Sequence, residues 1–240
     1  MIDDVFAQVG LAEVHDDLLR NIVSLRVSQD LFDDLSDDAN DWHSAINLEL
    51  STKPSFFASP QPIIDRPYEE ALWNDAINYP FKHWQRSRYS DGSFGVWYGA
   101  DTVDTTVFET AYHWRQGFLR DAGLTSPGDT GIRIERTVYR VRCDAALVDL
   151  RPVVDRVPAL IAPHDYTLTQ QVGARLHREG HPGLVTRSAR CSGDVYPVLN
   201  PVLLSLPRQL CHLTYATTAS GVTVEREPGV VWFAIPDVAS

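Results

Sequence analysis

The chain has 240 residues, 44% of them hydrophobic and 22% charged, with a formal net charge of −11. Those values are ordinary for a soluble globular protein large enough to bury its own core. No apolar run approaches bilayer-crossing length, and the acidic start "MIDDVFAQVGLAEVHDD" lacks the basic-then-apolar order of a signal peptide, so a cytoplasmic protein with no membrane contact is expected.

The charge is uneven. Residues 1–41 hold eleven acids against Arg20 and Arg26, a formal −9, and the remainder is close to neutral. That balance disfavours direct nucleic-acid binding. The acidic region reads either as a solvated face or as a docking surface for a basic partner.

In chain order, Val5, Val9, Val14, Leu18, Leu19 and Ile22 recur loosely at helical spacing, which predicts an acidic helical N-terminal extension over 1–21. The main domain is expected over 22–240. It opens with a short strand, "IVSLRVS" (22–28), followed by a helix with Ser36 or Asp37 as its cap. The proline-rich 51–67 reads as a loop. A helix over Tyr68 to Asn78 should stop at Pro80.

"SDGS" (90–93) is a turn, and "FGVWYGA" (94–100) is a buried strand in which Gly95 marks a close backbone approach or a bulge. Asp101 is a suitable N-cap for a helix running to Phe118, with Val103, Val107, Ala111, Trp114 and Phe118 as its core stripe. "IRIERTVYRVRC" alternates with a slip in phase and predicts one long or two short strands. A helix over 165–180 ends at Gly180. Strands follow at 183–189, in "QLCHLTYATT" and at 230–235. The interleaving lacks the regular βαβ alternation of a doubly wound sheet, so the fold class is α+β, a mixed central sheet with surrounding helices.

Three residues at fixed intervals stand out in the 87–114 stretch. Arg88 and Tyr98 lie ten residues apart, and Tyr98 and Glu109 eleven. Glu109 projects away from the apolar stripe, beside Thr105 and Tyr112; taken alone it is either a solvated polar-face residue or a placed carboxylate. Arg88, in the basic island "KHWQRSRYS", suits a phosphate or carboxylate, or pairs with a nearby acid. Tyr98 is either core filler or a ring at a site.

The order and spacing of "RYSDGSFGVWYGADTVDTTVFE" resemble the RES domain, a family found in bacterial toxin–antitoxin pairs. Its pattern has an arginine and aromatic residue, a glycine turn, a strand ending in tyrosine, and a helix bearing a glutamate. Its early arginine is best matched by Arg26 in "SLRVS", with Arg86 a rival basic residue, and its late serine by Ser188 in "GLVTRSAR". Ser87 stands where the family has glycine, and Thr186 and Arg187 where it has tyrosine and proline.

The resemblance implies a fold like that of the ADP-ribosyltransferases and an enzyme that breaks the nicotinamide–ribose bond of NAD by hydrolysis or phosphorolysis. NAD would be a substrate, with no prosthetic group. Glu109 would face the ribose cation, Arg88 with Arg26 or Arg86 would hold the pyrophosphate, Tyr98 the nicotinamide end, and Ser188 a ribose or phosphate. A small Xre-type antitoxin would hold the enzyme inactive. A protein mono-ADP-ribosyltransferase needs the same pocket, and a module with an inactive pocket that binds a nucleotide or partner is a third reading.

No metal site is expected, because the eight histidines show no HxH or HExxH spacing. Cys143, Cys191 and Cys211 are too few for a disulfide framework and read as thiols in a reducing compartment. Ser188 is not in a GxSxG context, which disfavours a serine hydrolase.

Overall fold

A computed structural model of the chain describes residues 2–7, 9–24, 68–124, 126 and 128–237. The remainder of the 22–28 strand, the helix near Ser36, the 51–67 loop and Arg26 lie outside the described residues. The chain divides into a unit of residues 1–23 and 72–240 and another of residues 24–71; the sheet described below lies in the first. Among the described residues no helix is long and apolar enough to cross a membrane.

The architecture is α+β, built on one mixed sheet. Helix α1 (Ile2–Phe6) leads into β1 (Gly10–Val23), and α2 (Tyr68–Lys82) precedes β2 (Trp97–Ala100) and α3 (Val103–His113). A π-helical stretch, Trp114–Leu119, continues α3. Next come β3 (Arg133–Asp149), a 3-10 turn at Pro158–Ile161, α4 (Thr167–Arg178), β4 (Leu184–Arg187) and β5 (Asp194–Val198). After a 3-10 turn at Pro201–Leu203 come β6 (Leu204–Thr218), β7 (Gly221–Glu227) and β8 (Val230–Pro236).

The strand order is β1-β2-β5-β4-β3-β6-β7-β8, and β1 also pairs with β3. The first five strands therefore close a ring of pairings, and β6, β7 and β8 extend from β3. All pairs are antiparallel except β3 with β4.

The helical reading of the N-terminal region is corrected beyond Phe6. Gly10–Val23 is a strand, in register with β3 from Gly10↔Asp149 to Val23↔Arg136. Its buried residues Val14, Leu18 and Asn21 are spaced four and three apart, which imitates a helix. The even residues Ala12, Val14, Leu18 and Ile22 pack with Trp97 and Val141, while Leu19 packs with Val107 and Tyr215 from the other face. A strand with cores on both faces loses the simple alternation that identifies it in sequence.

Pro80 does not end its helix, which runs on to Lys82. Proline removes the N–H that would bond the carbonyl four residues back. Here that carbonyl, on Ala76, accepts the Trp97 indole N–H at 2.9 Å instead. Gly95 lies just ahead of β2, and a Cβ there would sit 2.3 Å from the Pro80 carbonyl oxygen, so of its two readings the close approach is the one found. The phase slip in β3 is also present: burial switches from Val138 to Tyr139, where the register with β6 shifts. Gly180 follows α4 with φ of 76° and closes it as a left-handed C-terminal residue.

Asp101 is not the N-cap of α3. Thr102 caps it by accepting the Thr105 N–H, and Asp101 accepts the Thr105 hydroxyl at 2.7 Å. The π turn shifts the buried face by one residue, so Phe118 is 66% exposed and Leu119 takes its place in the core at 0%. Cys143 is buried, Cys191 and Cys211 are partly buried, and all three are free thiols.

Candidate functional site

The Arg88 turn is held from three sides. Tyr98 Oη accepts the Tyr89 N–H at 3.0 Å and donates to Ser87 Oγ at 2.9 Å. Gln170 on α4 donates its amide to the carbonyls of Ser87 (2.9 Å) and Ser90 (3.3 Å). Gly173, one turn along α4, lies against the Tyr89 carbonyl so closely that a Cβ would come within 1.9 Å. Burial pushes the Tyr98 phenol well above its ordinary range and that of Tyr89 up to about 12, so both stay protonated.

Arg88 projects from this turn toward the 158–166 segment. Its Nη1 donates to the carbonyl oxygens of Ala162 (2.9 Å) and Leu160 (3.5 Å), and its guanidinium lies over the Tyr166 ring at 4.5 Å. Its Nη2 is buried with no hydrogen-bond partner.

Glu109 is carried by α3, whose far side is fixed by a buried polar chain. Arg136 donates to Asn21 Oδ1 at 2.7 Å, Asn21 donates to Tyr215 Oη at 2.9 Å, and Tyr215 meets Thr110 Oγ1 at 2.9 Å. The Glu109 side chain is only 18% exposed, so it is not a solvated surface acid. Ser188, just beyond β4, donates to its Oε1 at 2.5 Å. The same hydroxyl accepts the backbone N–H of Arg190 (3.0 Å) and Cys191 (3.3 Å). A hydroxyl with one donor and two acceptor positions is then fully used.

The Ser188 turn is locked to α3 from its other end. Asp101 Oδ2 accepts the Asp194 N–H at 3.0 Å, and Gly193 fits so closely against Thr105 that a Cβ would lie 1.9 Å from its Oγ1.

Arg190 was not picked out by sequence, although it sits two residues after Ser188 in the quoted "SAR". Its guanidinium stacks on the Tyr112 ring at 3.3 Å from the centroid and donates to the Pro163 carbonyl at 2.6 Å. Its Nε is buried and unpartnered. His113 Nε2 is 3.9 Å from Glu109 Oε2. The His113 side chain is 58% exposed, yet desolvation by the surrounding protein still lowers its pKa; Glu109 opposes this, and Arg190, Arg88 and Arg136 reinforce it.

The structure thus brings Glu109 and Ser188 into contact and places Arg88 and Arg190 against one segment, 160–166. Tyr98 stands behind Arg88, its hydroxyl engaged within the turn rather than free for a ligand. Arg86 is exposed, with Asp91 as its electrostatic neighbour, and among the described residues no side-chain hydrogen bond or ion pair joins it to this set. Chemically the site is a fixed carboxylate beside two stacked guanidiniums that each retain a buried donor, a combination suited to a ligand with an anionic group near a developing cation.

A family model described as the RES domain matches residues 63–218. No curated protein matches the chain. Among solved structures, the crystal structure of the M. tuberculosis MbcT–MbcA toxin–antitoxin complex is similar over 91% of this chain and 92% of that one, with 14% identity and a TM-score of 0.46.

Proposed function

The chain belongs to the RES domain family, and from that premise we propose that it is the toxin of a toxin–antitoxin pair and consumes NAD in the cytoplasm by breaking its nicotinamide–ribose bond. The observation that carries this reading is the half-buried Glu109 carboxylate, held by the Ser188 hydroxyl and flanked by Arg88 and Arg190.

In the reaction, the bond between ribose C1′ and the nicotinamide nitrogen breaks and its electron pair leaves with nicotinamide. Nicotinamide departs neutral, so no strong general acid is needed. Positive charge grows on the ribose carbon, and the Glu109 carboxylate stabilises it. A water or phosphate oxygen then adds its electron pair to C1′; attack by water releases a proton. Ser188 orients Glu109 rather than touching substrate, and Tyr98 orients Arg88.

Arg88 and Arg190 hold the pyrophosphate through Nη2 and Nε, the donors left unpartnered, and their stacking on Tyr166 and Tyr112 fixes the two planes. The same reading assigns the sheet to the ADP-ribosyltransferase type of fold. A small Xre-type antitoxin is the partner that closes this site.

Arg88→Ala is expected to raise the KM for NAD about 10- to 100-fold, the scale of a lost charge-assisted hydrogen bond. Initial-rate measurements of nicotinamide release over a range of NAD concentrations check this. An unchanged KM would remove Arg88 from phosphate binding.

A further inference from the structure

A groove of about 780 Å³ adjoins the site, lined on one side by α3 and its π-helical continuation and on the other by Val222 and the end of β8. Tyr112 and Arg190 belong to its lining, and Glu109 does not. We infer that this groove takes the adenosine half of the dinucleotide, an inference that rests on the NAD reading.

Three features of its surface point to that ligand. Phe108, Val222 and Ile235 offer apolar surface for the faces of a purine. Gln116, in the π turn, belongs to the lining, and its side chain makes no hydrogen bond to any described residue, so its amide keeps both a donor and an acceptor. A carboxamide is the side chain that pairs bidentately with the N6 and N7 edge of adenine.

Charge supplies the third feature. Arg115, Arg120 and Arg190 line the groove against one carboxylate, Asp237, which is already paired with Arg115. The excess is positive, which favours a ligand carrying phosphate. Arg190 stands at the border with its unpartnered Nε, where a pyrophosphate joining the two halves would pass. The volume is within the usual range for small-molecule sites, roughly 300–1,000 Å³.

The test compares NAD with nicotinamide mononucleotide, which lacks the adenosine half. Gln116→Leu is expected to raise the KM for NAD about tenfold and to leave that for the mononucleotide within about twofold. AMP should inhibit the wild-type protein competitively with NAD. An unchanged KM for NAD, or an equal change for both substrates, would overturn the inference.

If wild-type protein consumes neither substrate, the NAD reading has failed, and calorimetry with AMP decides the groove separately. AMP binding that Gln116→Leu weakens sustains it; no AMP binding refutes it. Should Gln116→Leu shift the melting temperature, Gln116→Glu, which keeps the side-chain volume and removes the amide donor, takes its place under the same criteria.

Discussion

Glu109→Gln leaves the fold intact and lowers NAD turnover about 10²- to 10⁴-fold, the scale of a key charged group in a transition state. The amide has the volume of the carboxylate, and its oxygen can still accept the Ser188 hydroxyl, so the contact between α3 and the Ser188 turn survives. What disappears is the negative charge. In a site that also holds Arg88 and Arg190, its loss leaves the ribose cation facing guanidiniums with nothing to balance them. The check is kcat for nicotinamide release together with a urea midpoint. Near-normal turnover with an unchanged midpoint would remove Glu109 from the chemistry.

Gly173→Ala should destabilise the protein by about 1–3 kcal/mol and weaken NAD binding at the same time. The two effects on stability oppose each other. Helix propensity alone favours alanine over glycine by about 1 kcal/mol inside a helix. Against this, the new methyl group would lie 1.9 Å from the Tyr89 carbonyl oxygen and 2.8 Å from the Tyr89 carbonyl carbon. Those are backbone atoms of a turn already bound by Gln170 and Tyr98, so relief requires moving the turn that carries Arg88. Urea denaturation gives the sign: a more stable variant would show that the contact between α4 and the turn is loose. A rise in the KM for NAD would accompany the destabilisation, because Arg88 moves with Tyr89.

The intervals from Arg88 to Tyr98 to Glu109 were legible because strand β2 and helix α3 are local and each has its own signals. Ser188 was legible only through resemblance, since its contact with Glu109 joins residues 79 apart in sequence. Nothing in a linear pattern shows that a hydroxyl is committed to two backbone N–H groups and a carboxylate. The hydroxyl partners of Tyr98 were hidden for the same reason: its bonds to Ser87 and Tyr89 form only once the turn folds back over β2.

Arg190 escaped notice because an arginine after a strand is an ordinary surface residue until Tyr112 and Pro163 are seen beside it. Within the helical extension expected over 1–21, residues from Gly10 on became a strand because partners on β3 and cores on both faces override a weak periodicity. Likewise the π turn replaced Phe118 by Leu119 in the core, and Gln116 in the same turn lines the groove.

The most direct test is to incubate purified protein with NAD, with and without inorganic phosphate, and to identify every product by mass spectrometry. NAD consumption is expected to give free nicotinamide with a small-molecule partner, ADP-ribose or its phosphorylated form. Intact NAD, or ADP-ribose found only on protein, would contradict the assignment of this site to NAD breakdown by water or phosphate.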